Sequence, residues 1–332
     1  MKRRFFIKNS AKAGIALSLL GTYACKKFAK KTEDINDSES LVVENKAPLF
    51  QLSLAQWSIN RMIRKEGLDP YKFAEKANSW GFTGLEYVSQ LYRTELEASE
   101  YSAEAMQNFI DKNNAEAKKY NLQNLLIMVD GEGALASTDE KERKEAVERH
   151  YKWVNAAAAM GCHSIRVNLQ GAMEREPWVE ASADGLTQLA TYAKEKNINI
   201  IVENHGGPSS NGAWLASVFE KVNMENCGSL PDFGNFCIKR ENGSYYESKC
   251  LEEYDKYQGV LDLMPYAKAV SAKSHDFDAN GDETNIDYNK MMQIVKESEY
   301  TGFIGVEYEG NILSEEEGIL ATKNLLLKII EK

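Results

Sequence analysis

Four short segments carry side chains able to hold a cation and move a proton. They are Val202-Glu203-Asn204-His205-Gly206-Gly207, Asp232-Phe233-Gly234-Asn235, Lys273-Ser274-His275-Asp276 and Val306-Glu307-Tyr308-Glu309-Gly310. In each, the polar residues follow or end a short apolar run, as when a strand ends and delivers a functional side chain. Glu203, Asp232, His275 and Glu307 offer three carboxylates and one imidazole to one divalent cation. Such a set suits Mn²⁺, Mg²⁺, Co²⁺ or Zn²⁺, and the mixture of donors favours Mn²⁺. Taken singly, a carboxylate after a strand is usually a helix cap or a solvated loop residue. Co-occurrence on four consecutive strand ends is what supports the joint metal site. Glu309 shares strand parity with Glu307 and competes for its place.

Further polar residues fall at strand ends. Arg166 and Asn168 share parity, and Arg166 could bind an anionic or polyhydroxy substrate or form a salt bridge inside the fold. His205 shares parity with Glu203 and could hydrogen-bond substrate hydroxyls. Lys273 shares parity with His275 and could neutralise a developing negative charge or pair with a ligand carboxylate. Glu86 could accept from a substrate hydroxyl or pair with Lys273 or Arg166. Trp57 could stack on an apolar face of a substrate or belong to the core.

The elements that must position these residues alternate from Phe50 onward. Strands are predicted over 50–57, 84–88, 124–129, 164–168, 198–203, 229–233, 269–275 and 303–307. Helical periodicity covers 70–80, 103–120, 139–160, 180–196, 213–224, 257–268, 287–298 and 314–331. Several helices stop at a glycine, as at Trp80-Gly81 and Met160-Gly161. Eight strand-helix repeats of roughly 36 residues each fit a single-domain (β/α)₈ barrel over 49–332, with chemistry at the C-terminal ends of the strands. A doubly wound sheet also alternates, but no G-x-G-x-x-G follows the first strand.

The four quoted segments together resemble the xylose-isomerase-like TIM barrel superfamily, over roughly residues 50–330. That superfamily includes sugar (phosphate) isomerases and epimerases and the family-2 AP endonucleases. The resemblance implies one divalent metal held by Glu203, Asp232, His275 and Glu307. It also implies that Glu203 and Glu307 act as acid and base on opposite faces of the substrate. A metal on the substrate carbonyl and adjacent hydroxyl stabilises an enediolate, from which epimerisation, isomerisation or β-elimination can follow. The AP endonucleases hold three zinc ions and use extra histidines. With four His in the chain, and Asn235 where a second His would follow Asp232, that likeness is weaker.

Residues 1–25 read as an export signal. Lys2, Arg3, Arg4 and Lys8 precede a short apolar run, and Arg3-Arg4-Phe5-Phe6-Ile7-Lys8 resembles a twin-arginine motif. Cys25 lies in an imperfect lipoprotein processing site, with cleavage lacking a lipid as the plainer alternative. Residues 26–48 are charge-dense and suit a flexible tether. The expected location is therefore the periplasm, or a membrane reached only through an N-terminal lipid. Sugar phosphates are cytoplasmic, so export directs the expectation toward unphosphorylated keto-sugars or 3-keto-glycosides.

The whole chain has 332 residues, 40 Lys+Arg against 50 Asp+Glu, and a net charge of −10. That balance disfavours binding to nucleic acid. Five Cys are too few for a disulfide scaffold, yet Cys237 and Cys250 could pair and tie down a polar insertion at 238–256 expected over the barrel mouth. Asp278-Ala279-Asn280-Gly281-Asp282 is expected to be a polar turn rather than an EF-hand. Three functions compete: a metal-dependent sugar isomerase/epimerase or lyase, a non-catalytic carbohydrate-binding lipoprotein, and a phosphodiester hydrolase.

Overall fold

Short apolar runs punctuated by capped helices wind into a parallel barrel. In the computed structural model, residues 50–246 and 248–330 are described. The proposed signal, Cys25 and the tether lie outside them.

The strands are β1 Phe50–Ala55, β2 Gly84–Val88, β3 Gln123–Met128, β4 Ser164–Val167, β5 Asn199–Glu203, β6 Cys227–Leu230, β7 Cys237–Arg240, β8 Cys250–Glu253, β9 Val270–Ser274 and β10 Gly302–Tyr308. Eight of them form one parallel sheet in the order β6-β5-β4-β3-β2-β1-β10-β9. Isolated bridges from Ser229 to Ala267 and from Asp232 to Ser271 join its two edges. The helices are α1 Asn60–Arg64, α2 Phe73–Ser79, α3 Arg93–Ala98, α4 Ala103–Lys119, α5 Glu140–Met160, α6 Arg175–Lys194, α7 Gly212–Val222, α8 Lys256–Leu263, α9 Tyr288–Glu297 and α10 Glu315–Ile330. This is the (β/α)₈ barrel that the alternation predicts.

Local chemistry sets the helix starts. Ser102, Asp139, Asn211, Asp255 and Asp287 each accept a backbone N–H of the first turn of α4, α5, α7, α8 and α9, satisfying donors that the helix itself leaves free. Gly161 stops α5 at φ 74°, a left-handed position that glycine adopts without strain. Between helices and sheet, Leu54, Ile127, Ile165, Ile200 and Val306 are fully buried, and their burial is the main stabilising term of the fold.

The interior of the barrel is unusually polar. Ser53, Glu86, Arg166, Glu203, Asp232, Ser271, Lys273 and Glu307 are all buried. Gly305 makes room for one of them: a Cβ there would stand 2.5 Å from Glu86 Oε1 and 2.6 Å from Oε2. Buried polar groups persist only where they are paired, and those pairings build the site.

The polar insertion departs from the barrel. β7 and β8 pair antiparallel, and a Cys237–Cys250 disulfide ties them, the pairing that the spacing suggested. Cys162 and Cys227 are free and buried. The segment around Asp278 is the expected polar turn, with Asp278 Oδ1 accepting the N–H groups of Asn280 and Asp282 at 2.8 and 3.0 Å.

Candidate active site

Three of the four proposed ligands converge. One oxygen from each of Glu203, Asp232 and Glu307 lies within 4.8 Å of the others. Glu203 ends β5, Asp232 follows β6 and Glu307 lies in β10. They meet at the C-terminal mouth of the barrel, where this architecture places its chemistry.

Each carboxylate is held firmly. Asp232 Oδ1 accepts the backbone N–H groups of Gly234 and Asn235, both at 2.8 Å. Asp232 N–H in turn donates to Asn204 Oδ1 at 2.8 Å, while Asn204 Nδ2 donates to Asp232 O at 3.0 Å. Ser271 Oγ lies 2.8 Å from Asp232 Oδ2 and 2.9 Å from Glu307 Oε2, bridging the two. Glu203 Oε1 accepts from Asn235 Nδ2 at 3.0 Å, and its Oε2 is ion-paired with Arg166 Nε at 2.9 Å.

His275 stands outside the triad. β9 ends at Ser274, and His275 N–H donates to Glu283 Oε1 at 3.1 Å, which draws the chain away just beyond the strand. The imidazole instead borders a polar cavity of about 420 Å³ with Gly234, Lys256 and Asn311. One pleat deeper, Lys273 reaches the carboxylates. Its Nζ lies 3.3 Å from Glu307 Oε2, 3.7 Å from Asp232 Oδ2 and 3.1 Å from Glu309 Oε1. Glu309 therefore contacts the lysine rather than joining the triad.

A second polar line runs beside the first. Arg166 Nη1 and Asn168 Nδ2 donate to Asp130 Oδ1 at 2.8 and 2.7 Å. Because Asn168 turns its amide N–H₂ to that carboxylate, its carbonyl oxygen faces His205 Nδ1 at 3.0 Å. His205 Nδ1 must then carry the proton and donate it, which leaves Nε2 as an acceptor. The ring of Tyr246 from the insertion stands 4.6 Å from that of His205, and Gln170 Nε2 donates to Tyr246 Oη at 2.7 Å. The insertion thus covers part of the mouth, as expected.

Two candidates play other parts. Glu86 pairs with neither Lys273 nor Arg166. Its Oε1 accepts from Ser53 Oγ at 2.5 Å, and its Oε2 has no hydrogen-bond partner among the described residues. Trp57 lies in a 3-10 turn after β1, packs on the core and has the Arg64 guanidinium 5.7 Å from its ring centre. Asp130 and Ser271 were missed by the sequence reading. The signal for Asp130 was the same one used elsewhere, a carboxylate directly after an apolar strand, in Val129-Asp130-Gly131.

The electrostatics follow from crowding. Burial pushes Asp232 up to about 8, with Glu203 and Glu307 adding to the rise against the pull of Lys273. Burial likewise raises Glu203 and Glu307, despite Arg166 and Lys273. Burial also raises Glu309, but Lys273 outweighs it and leaves that carboxyl below the usual range. Ionising all three acids together is thus unfavourable even with Arg166 and Lys273 beside them. Three buried carboxyl oxygens crowded in one place are a donor set that fits a hard divalent cation. Glu203, Asp232 and Glu307 would hold it.

Residues 74–328 match the profile of the xylose isomerase-like TIM barrel family. The chain belongs to that family. No curated protein sequence matches it. Among solved structures it is similar to the IolI protein with a bound zinc atom, at 15% identity and TM-score 0.63 over 85% of this chain and 98% of that one. It is also similar to D-allulose 3-epimerase from Methylomonas sp., at 14% identity and TM-score 0.63 over 85% and 98%. A third is 3-keto-D-glucoside 4-epimerase from E. coli, at 14% identity and TM-score 0.60 over 84% and 99%. At these identities the likeness shows the shared barrel.

Proposed function

We propose that this barrel is an exported sugar isomerase/epimerase that moves a proton at a carbon beside a carbonyl, on unphosphorylated keto-sugars or keto-glycosides. The observation that carries the reading is the convergence of Glu203, Asp232 and Glu307 at the barrel mouth, in a family whose solved neighbours include sugar epimerases. Glu203 takes the proton from one face and Glu307 returns one from the other. His205, locked by Asn168 with an acceptor nitrogen free, receives a substrate hydroxyl, and Tyr246 covers the sugar. Glu203, Asp232 and Glu307 would hold a divalent cation, Mn²⁺ or another hard ion suited to carboxylates, which would supply Lewis-acid stabilisation of negative charge on the substrate oxygen.

The choice of an unphosphorylated substrate follows from export, and where the cations go supports it. Arg166 is engaged by Asp130 and Glu203, and Lys273 by Asp232, Glu307 and Glu309, so neither is left for a phosphate. Export is supported by the signal-like residues 1–25 and by the Cys237–Cys250 disulfide, since such bonds persist in oxidising compartments.

The test is incubation of the metal-loaded protein with keto-sugars and 3-keto-glycosides in D₂O. Deuterium is expected at the carbon beside the carbonyl, and Glu203→Gln or Glu307→Gln should abolish its entry. Exchange that survives in both variants, or is absent from wild type on every such sugar, rejects the reading. Loss of the aglycone in place of exchange reassigns the enzyme as a lyase.

A further inference from the structure

We infer that Lys273 is a built-in cation that occupies the seat of the metal ion and must withdraw to Glu309 before an ion can bind. The inference rests on the metal-at-the-triad reading above and extends it to how the ion is admitted.

The geometry places lysine and metal on the same oxygens. Lys273 Nζ lies 3.7 Å from Asp232 Oδ2 and 3.3 Å from Glu307 Oε2. Those two oxygens also share the Ser271 hydroxyl, so both already turn toward one point. A cation held by the pair would lie against these same two oxygens. A second positive charge against the same pair, in a site closed to water, is strongly repelled. The Lys273 side chain is 1% exposed, so solvent cannot screen the conflict.

An exit for the lysine is already in place. Lys273 Nζ donates to Glu309 Oε1 at 3.1 Å, and the Glu309 side chain is 29% exposed, nearer the open mouth. The four-carbon stem of lysine can swing its head outward while keeping that bond. The ammonium then remains paired, and Asp232 and Glu307 are released to the ion. His275, the imidazole expected as the fourth ligand, stands beyond the strand end. What the chain presents to the triad at this height is Lys273, in register with Glu307 across the β9–β10 pair. The lysine accordingly weakens metal binding and keeps the carboxylates paired when no ion is present.

The experiment is calorimetric titration of Mn²⁺ into the chelator-stripped full chain, compared across wild type, Lys273→Met and Lys273→Arg. Lys273→Met is expected to bind Mn²⁺ at least tenfold more tightly. Lys273→Arg keeps the charge and should gain nothing. A structure of the Mn²⁺-bound wild type should show Lys273 Nζ on Glu309 and clear of Asp232 and Glu307. Wild type that binds Mn²⁺ while Lys273→Met binds it equally or more weakly overturns the inference alone. An ion seated with Nζ still between Asp232 and Glu307 does the same, and it decides the matter even if Lys273→Met fails to fold. No Mn²⁺ binding by wild type or by either folded variant overturns the metal reading, and this inference with it.

Discussion

Arg166 Nε stands 2.9 Å from Glu203 Oε2, and both side chains are almost wholly enclosed. The same guanidinium reaches Asp130, so one arginine on β4 holds two carboxylates from the ends of β3 and β5, the strands on either side of it. Removing one partner of a buried ion pair leaves an unbalanced charge in a medium that solvates it poorly, at a cost of about 3–5 kcal/mol. Arg166→Met should lower stability by that order in guanidinium denaturation. Arg166→Lys should recover only part of the loss, because an ammonium cannot span two carboxylates as the planar fork does. A variant as stable as wild type would show that the pairing contributes nothing.

Glu86 makes stability depend on pH. Burial pushes its carboxyl up to about 8, and the charges of Glu307 and Glu203 add to the rise despite the Ser53 hydrogen bond. Unfolding returns it to the ordinary carboxylate range near 4.5, so between these values the native state holds the extra proton. Stability conferred by the neutral form is complete at low pH and is lost as pH rises toward 8. Over that window the loss is on the order of a few kcal/mol. Glu86→Gln stays neutral throughout, so its advantage over wild type should grow from pH 5 to pH 8 in urea melts. A constant difference would place the Glu86 ionisation elsewhere.

The framework was legible in the sequence because its signals are local. An aliphatic run such as Ile200-Ile201-Val202 between polar stretches marks a strand whatever surrounds it, and Asp139 or Asp287 announces the helix that follows. β6 was placed two residues late, since Cys227-Gly228-Ser229 lacks the bulk that identifies a strand. Glu203, Asp232 and Glu307 were legible for the same reason as the strands that deliver them. His275 and Lys273 were not separable. Both have the same parity, and which one meets the triad depends on where β9 stops. That point is set by Glu283, which captures the His275 N–H from eight residues away. The pairing of Glu86 was missed because its partner, Ser53, lies 33 residues earlier in a strand that reads as apolar.

The disulfide-closed insertion should behave as a separable cover. Cys237 and Cys250 are 13 residues apart, and the segment between them rests on glycines: a Cβ at Gly206 would meet Tyr245 O at 2.5 Å. Closing a ring of this size restricts the open chain by about 3 kcal/mol. In the Cys237→Ser/Cys250→Ser variant, amide exchange should quicken across residues 237–253 while β1–β5 keep their protection. KM for the sugar should rise, because Tyr246 no longer holds its place over His205. Exchange that quickens equally in the barrel strands would mean the bond supports the whole domain instead.

The line from Asp130 through Asn168 to His205 keeps one imidazole neutral. Burial lowers His205 to about 4, and Arg166 and Lys273 push in the same direction. The ring therefore presents an acceptor nitrogen throughout the neutral range. Asn168→Asp puts a carboxylate where the amide oxygen sits, 3.0 Å from Nδ1. The new carboxylate also faces Asp130 Oδ1, 2.7 Å from the present amide nitrogen, so its charge is partly suppressed; what remains favours the imidazolium and should raise His205 measurably. NMR titration of the histidine ring protons measures this directly. Sugar binding should follow the same titration in the variant, weakening as pH falls and Nε2 gains a proton, while wild type stays level across that range. A His205 that titrates unchanged in Asn168→Asp would show that the amide contact does not set its protonation.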